Sequence, residues 1–353
     1  VTGCYAERDH LLGGAAPMLN LVLGNDLKRE LLKAPASFLP LADGNRPCDC
    51  PRAGRTRALV RIQEGCDNRC TYCIVWQLRG PQVSRPAAKV LEEVRRLVAD
   101  GHQEVVLTGV HIGAYGKRAN GHVEAGEADL WTLVRELLAR TEVRRLRLSS
   151  IEPWDLGAAD FGLWRDERLC PHLHVPLQSG CDSVLARMGR RYTTEEYRRL
   201  LGTARAAVPD VAITTDIIVG FPGETEDEFC ASQEFVRQCG FARIHVFPYS
   251  PRPGTLAATM PDQVPPAVRR ERARQMREVA VASRRAYEDA FVGRTVPVLW
   301  EARQGKRWSG HTPNYLKVFA PGEGDLQNEV TPCLVLGRDR DALVGRVLSP
   351  PGW

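Results

Sequence analysis

Cys66, Cys70 and Cys73 form a C-x3-C-x2-C arrangement shortly after the apolar run 58–62. Three thiolates on one short loop can bind three irons of a [4Fe–4S] cluster and leave the fourth iron open to a cofactor or substrate. A closed zinc site needs a fourth ligand, and no second C-x2-C or H-x3-H pair follows nearby. The spacing therefore favours a cluster with an open iron over zinc or unrelated thiols.

Further motifs follow this loop in a fixed order. They occupy residues 107–113, 148–153, 174–180 and 216–225. Together with Cys66, Cys70 and Cys73 they resemble the motifs of the radical S-adenosylmethionine (SAM) enzymes, and specifically of the methylthiotransferases. The resemblance covers essentially the whole chain and is nearest to the branch that methylthiolates N6-threonylcarbamoyladenosine of tRNA, beside the anticodon.

The resemblance implies a mechanism and a set of cofactors. A cluster on Cys66, Cys70 and Cys73 binds SAM, the resulting radical abstracts hydrogen from C2 of the modified adenine, and a methylated sulfur on a second [4Fe–4S] cluster adds there. A further SAM supplies the methyl group, and a flavodoxin or ferredoxin supplies electrons. Cys4 matches one ligand of the second cluster. The other two would lie upstream, so we expect an N-terminally truncated chain that cleaves SAM without inserting sulfur.

Composition sets broad limits on the class of protein. The 353 residues are 43% hydrophobic and 26% charged, which is ordinary for a globular protein, and the net charge of +5 permits a nucleic-acid partner without demanding one. No apolar run approaches the roughly 20 residues of a membrane-spanning helix. Eleven mostly scattered cysteines indicate a reducing compartment. We expect the protein to be cytoplasmic and monomeric and to make no contact with a membrane.

The order of apolar and amphipathic segments predicts three units. Residues 1–57 resemble the end of the N-terminal methylthiotransferase domain followed by a linker, 58–292 a radical SAM domain, and 293–353 a small β domain. In the middle unit strand-like and helix-like segments alternate, which is typical of parallel sheets with crossover helices. The predicted strands are 58–63, 104–108, 145–149, 172–177, 212–219 and 243–247, and the helices lie near 87–99, 130–140, 194–207 and 226–238. Six strands suggest a partial (β/α)6 barrel, although a doubly wound sheet could produce the same pattern.

Several polar or small residues stand where these strands end, which is where cofactors bind in such folds. We predict that the cofactor contacts are Thr108, Gly109, Ser149, Glu152, Gln178, Arg191 and Asp216. Thr108 and Gly109 could equally form only a tight turn. Asp216, in an apolar strand, needs a partner, and Arg191 is either that partner or a ligand for the cofactor carboxylate. No residue is predicted to act as a general acid or base.

The C-terminal segment contains short strand-like runs separated by turn residues. This pattern suggests a small OB-type barrel, and it resembles the TRAM domain that ends tRNA methylthiotransferases. Such barrels bind nucleic acid through aromatic and basic side chains. We predict that Trp308, His311, Tyr315 and Lys317 contact the anticodon stem-loop of a tRNA.

Two other functions fit parts of the sequence. One is methylthiolation of an aspartate in a ribosomal protein, although a basic C-terminal domain suits RNA better than a protein partner. The other is a non-catalytic RNA-binding protein whose cluster or zinc site is only structural.

Overall fold

The computed structural model describes residues 56–117 and 128–348. Cys4 and nearly all of the predicted unit 1–57 lie outside the described residues. In the larger domain the parallel strands are β1 (Arg57–Arg61), β2 (Glu104–Thr108), β3 (Arg145–Leu148), β4 (His172–His174), β5 (Ala212–Val219) and β6 (Arg243–Pro248). The α-helices are α1 (Val75–Arg79), α2 (Ala87–Ala99), α3 (Leu130–Arg140), α4 (Asp182–Arg187), α5 (Thr194–Ala207), α6 (Glu226–Cys239) and α7 (Pro266–Asp289).

The strands are arranged in chain order. β1, β2 and β3 form one parallel sheet, and β4, β5 and β6 form another. Backbone hydrogen bonds join the two at the seam, from the Leu146 amide to the Arg168 carbonyl (2.7 Å) and from the Ile151 amide to the His174 carbonyl (2.9 Å). A doubly wound sheet would need a reversal of strand order. The predicted partial (β/α)6 barrel is therefore confirmed.

Successive residues of each strand point to opposite sides of the sheet, one packed against the helices and the other polar. In β5, Ile213 and Ile217 are buried against the helices, and Asp216 between them lies on the opposite side of the sheet, half buried. β4 ends earlier than predicted because Pro176 has no amide hydrogen to donate to a neighbouring strand.

Local sequence signals explain the helix boundaries. Thr225 accepts a hydrogen bond from the Glu228 amide while the Glu228 side chain returns to the Thr225 amide, so a capping box begins α6. In α3, Leu130, Leu133, Val134 and Leu137 are all buried, because residues spaced by three and four positions share one face of a helix. Both helices thus turn an apolar face toward the barrel.

The C-terminal domain is a closed five-stranded barrel, as predicted. Its strands are β7 (Thr295–Gln304), β8 (Arg307–His311), β9 (Lys317–Pro321), β10 (Val330–Asp339) and β11 (Ala342–Val347), in the order β8-β9-β11-β10-β7. β8 was not predicted, since Ser309 and Gly310 have weak strand propensity. A Cβ at Gly310 would lie 2.3 Å from the Leu299 carbonyl oxygen, so only glycine permits this close pairing.

Among the described residues, no helix is long and apolar enough to cross a membrane.

The C-terminal domain covers the end of the larger barrel at which β1, β2 and β3 begin. Arg145 donates a hydrogen bond from Nη1 to the His311 carbonyl (2.9 Å), and Arg147 donates one from Nη1 to the Pro313 carbonyl (2.8 Å). Arg147 is also paired with buried Glu104, with Nε 2.7 Å from Oε1. Buried charges are therefore compensated within this interface.

Tyr315 is the aromatic centre of the same interface. The guanidinium carbons of Arg57 and Arg147 lie 5.0 and 4.6 Å from its ring centroid. The rings of His311 and His172 lie 4.9 and 5.0 Å away. Cation–π and aromatic contacts of this kind hold the C-terminal domain against the barrel.

We expect Tyr315→Ala to lower the free energy of unfolding by about 2–4 kcal/mol, because two cation–π contacts and two ring contacts are lost together. Urea denaturation followed by circular dichroism measures this change. Tyr315→Phe retains the ring and is the matched control, with a much smaller expected loss. Equal losses in the two variants would contradict a role for the ring.

Candidate active site

The cysteine loop begins and ends at a two-residue antiparallel pair, Gln63–Glu64 with Val83–Ser84. The Cys66 amide donates a hydrogen bond to the Gly80 carbonyl (3.1 Å), which closes the loop. Gly65 has φ +73°, and a Cβ there would lie 1.8 Å from the Pro81 carbonyl oxygen. The loop geometry therefore requires glycine immediately before the first cysteine.

Gln63 joins this loop to the loop that follows β2. Its Nε2 donates to the Gly65 carbonyl (2.8 Å), and its Oε1 accepts from the amides of Val110 (3.0 Å) and His111 (2.8 Å). A Cβ at Gly109 would lie 2.8 Å from the Gln63 carbonyl oxygen. Gly109 is thus explained by close packing. Gln63, which sequence reasoning missed, positions the cysteine loop.

The three thiols of the cysteine loop do not form a compact metal site. Cys66, Cys70 and Cys73 are all free, yet in this fully described loop their Sγ atoms are not all within 4.8 Å of one another. Around tetrahedral zinc, thiolates at about 2.3 Å from the metal would lie about 3.8 Å apart. Burial raises the pKa of the Cys73 thiol, and the nearby thiols of Cys70 and Cys66 raise it further. The trio is therefore more widely spaced than the ligands of a tetrahedral zinc ion.

Arg190 lies beside the second cysteine. Its Nη1 is 3.6 Å from the Cys70 Sγ, its guanidinium is ion-paired with Glu152, and Nη2 donates to the Pro176 carbonyl (3.3 Å). Glu152 thus has a cationic partner within the chain. Arg191, which the sequence had suggested, is instead exposed on the outer surface. That prediction is corrected because the backbone directs the first of the two arginines inward.

A second charged group supports the first cysteine. Nε2 of His111 is 2.6 Å from the Asp155 carboxylate, which also accepts from Lys117 Nζ (2.9 Å). Burial alone would lower the pKa of His111, but hydrogen bonds to Asp155 and Cys66 raise it to about 9. The sequence offered no periodic signal for this group.

The remaining predicted residues meet at the strand ends. The Ser149 hydroxyl at the end of β3 is buried without a hydrogen-bond partner among the described residues, so it is available to a ligand. Gln178 has φ +67°, an unusual conformation for a non-glycine residue, and its amide donates to the Asp216 carbonyl (2.8 Å). Asp216 pairs with His174, at 3.3 Å, and not with Arg191. Thr108 is half buried at the end of β2. Cofactor contact by these residues stays a prediction.

The structure separates the four predicted RNA contacts. Trp308 is 3% exposed and belongs to the core of the C-terminal barrel, where it has no free face for a base. His311 and Tyr315 are in the domain interface described above. The assignment of Trp308 is corrected, because its ring fills the core of the barrel. His311 and Tyr315 are half buried and line the same cavity as Lys317, so their contact with RNA stays a prediction. Lys317 is exposed and stays a predicted RNA contact.

Comparisons with known proteins agree with this geometry. Residues 60–236 match the Radical SAM superfamily. The chain is 35% identical to the threonylcarbamoyladenosine tRNA methylthiotransferase MtaB of Bacillus subtilis, over 95% of this chain and 78% of that protein. It is 37% identical to the tRNA-2-methylthio-N(6)-dimethylallyladenosine synthase of Erythrobacter litoralis, over 92% of this chain and 76% of that one.

A solved structure supports the fold alone. The radical SAM methyltransferase TsrM from Kitasatospora setae, solved with cobalamin and a [4Fe–4S] cluster, superposes with a TM-score of 0.50 at 19% identity, over 61% of this chain and 42% of that one.

A partial (β/α)6 barrel with a C-x3-C-x2-C loop after its first strand, together with the match to the Radical SAM superfamily, defines a radical SAM enzyme. Within that superfamily, the chain belongs to the tRNA methylthiotransferase family. Its cofactors are accordingly a [4Fe–4S] cluster and SAM, together with the second [4Fe–4S] cluster of methylthiotransferases. The predicted ligand for that second cluster, Cys4, is not among the described residues.

Proposed function

We propose that this protein adds a methylthio group to C2 of N6-threonylcarbamoyladenosine in tRNA, next to the anticodon. By their names, the two relatives act on adenosines that carry different N6 groups, threonylcarbamoyl in one and dimethylallyl in the other. Which of the two modified adenosines is the substrate depends on the chemistry of the protein surface that contacts the N6 group.

A polar lining inside the barrel supports the first of these substrates. His174, Asp216 and His245 lie half buried on β4, β5 and β6. A threonylcarbamoyl group carries a carboxylate, a hydroxyl and an amide that can pair with such side chains. A dimethylallyl group is a hydrocarbon and would leave His245 without a partner, at a cost of about 1–3 kcal/mol, while His174 and Asp216 stay paired with each other. This lining is the observation on which the proposed substrate rests.

When bound, the cluster and SAM supply one-electron cleavage of the SAM sulfonium and so the radical chemistry. The chain supplies position and charge. Arg190 and His111 place positive charge beside Cys70 and Cys66. The barrel walls hold the adenine and exclude water from the site.

The test follows hydrogen transfer and does not depend on sulfur insertion. Cluster-loaded protein is incubated anaerobically with SAM, dithionite and an anticodon stem-loop RNA whose modified adenine carries deuterium at C2. Mass spectrometry of the 5′-deoxyadenosine product then reports which substrate is positioned for reaction. We expect deuterium from the threonylcarbamoyladenosine RNA and none from the matched dimethylallyladenosine RNA. Transfer from the dimethylallyl RNA alone, or from neither RNA, would refute the proposed substrate.

A further inference from the structure

The inside of the barrel carries three side chains that commonly bind metals. His174 ends β4, Asp216 lies in β5 and His245 lies in β6. One ligand atom from each lies within 4.8 Å of the other two, and His174 Nε2 is 3.3 Å from Asp216 Oδ2. We propose that these three side chains bind a divalent transition-metal ion of the Zn²⁺ type, separate from the iron–sulfur cluster.

Strand pairing fixes the three donors relative to one another. In the parallel register Asp216 is paired with His245, and His174 with Thr214. The neighbouring residue Ile217 is fully buried on the helix side, so Asp216 is directed to the inner side of the sheet. Donors on adjacent strands are held more rigidly than donors on loops. The site therefore needs little rearrangement to bind an ion.

An outer hydrogen bond orients the first histidine. Nδ1 of His174 is 2.8 Å from Oγ1 of Thr214, and this leaves Nε2 directed toward Asp216. Histidines that bind metals usually donate their other ring N–H to an oxygen in this way, which fixes the tautomer and the ring orientation. Thr214 is therefore placed to act as the outer-sphere hydrogen-bond partner that orients the His174 ring.

The ion pair between His174 and Asp216 does not account for the position of His245. A histidine–aspartate hydrogen bond needs only His174 and Asp216. His245 is half buried, its ring centroid is 5.9 Å from that of His174, and it makes no side-chain hydrogen bond within the described ranges 56–117 and 128–348. A metal ion shared by all three side chains would satisfy it.

The donor set selects the class of ion. Two imidazoles and one carboxylate suit zinc or a similar first-row ion, whereas magnesium and calcium prefer oxygen ligands throughout. The side chains of His174 and Asp216 are 15% and 28% exposed, so one side of the triad is open. A fourth position there would take water or an oxygen donor. Because no cysteine belongs to the group, the site is distinct from the thiol cluster.

Anomalous diffraction from the unaltered protein tests the proposal directly. Crystals of cluster-loaded protein are soaked in Zn²⁺, and data are collected above and below the zinc absorption edge, so that iron contributes to both data sets and zinc to only one. We expect a zinc peak with ligand distances of about 2.0–2.2 Å to His174, Asp216 and His245. A triad without a zinc peak would overturn the proposal.

A zinc titration of the cluster-loaded protein in solution provides a second test. We expect His245→Gln to bind one zinc fewer per chain than the unaltered protein, with cluster absorbance unchanged. His102→Gln is the matched control, since His102 is another half-buried histidine but lies outside the triad, and it should bind the full number. An equal number of tight sites in the two variants would refute the triad. The triad is also the polar lining on which the proposed substrate rests, and a zinc ion there would meet the N6 group at its open position. The zinc titration contains no RNA, so its outcome is separate from that of the deuterium-transfer test.

Discussion

Replacement of Cys70 by serine is expected to remove SAM cleavage from the anaerobically reconstituted protein. Cys70 is buried and is predicted to be one of three protein ligands to the cluster, and a serine hydroxyl is a poor substitute for a thiolate on iron. Mutation of a residue that only hydrogen-bonds to a metal ligand typically lowers activity by roughly 10- to 100-fold. Loss of the ligand itself should lower the yield of 5′-deoxyadenosine by more than this. Chromatography of the reaction after addition of dithionite measures this yield.

The matched control is Cys181→Ser. Cys181 is a half-buried free thiol whose Sγ is 3.2 Å from the Ser183 hydroxyl. We expect this variant to retain its iron content and its product yield. If Cys70→Ser released as much 5′-deoxyadenosine as Cys181→Ser, the thiol trio would have only a structural role.

Arg190→Met should produce the second large effect. The guanidinium side chain is 1% exposed, and its removal leaves the Glu152 carboxylate without its partner. Loss of one member of a buried ion pair costs about 3–5 kcal/mol. Because Glu152 is 20% exposed, we expect a loss near the lower end, about 3 kcal/mol, with weaker retention of iron. Urea unfolding measures the first quantity and iron analysis the second.

The neighbouring Arg191→Met is a close control, since it makes the same chemical change one residue away. Arg191 is exposed, so the expected change in the free energy of unfolding is within about 0.5 kcal/mol. Adding Glu152→Gln to Arg190→Met should recover part of the loss, because no unpaired charge then remains. Equal destabilisation by the two arginine variants would contradict the assignment of Arg190 as the inner residue.

Much of the architecture could be predicted because its signals are local. The helix at 226–238 follows from a threonine cap and an apolar face, and each strand of the larger barrel from a short apolar run. The cysteine spacing predicted the cluster loop because its ligands lie within a few residues. β8 escaped prediction because its pairing with β7 and β9 overrides the weak propensity of Ser309 and Gly310.

Local signals could not decide between similar residues. Arg190 and Arg191 have the same side chain and adjacent positions, and only packing shows that the first contacts Glu152 while the second faces solvent. Trp308 and Tyr315 are both aromatic residues of the small barrel. Trp308 fills the barrel core and has no face free to stack on RNA, whereas Tyr315 packs at the domain interface.

The amino-acid sequence by itself determined the alternation of strands and helices and the family, and it predicted the cluster ligands, because each depends on residue type and short-range spacing. Only the tertiary structure decided which charges surround the cysteine loop, which aromatic rings are available, and that His174, Asp216 and His245 meet. These features join residues that are 29 to more than 160 positions apart, and their proximity is set by strand register and domain docking rather than by any local pattern.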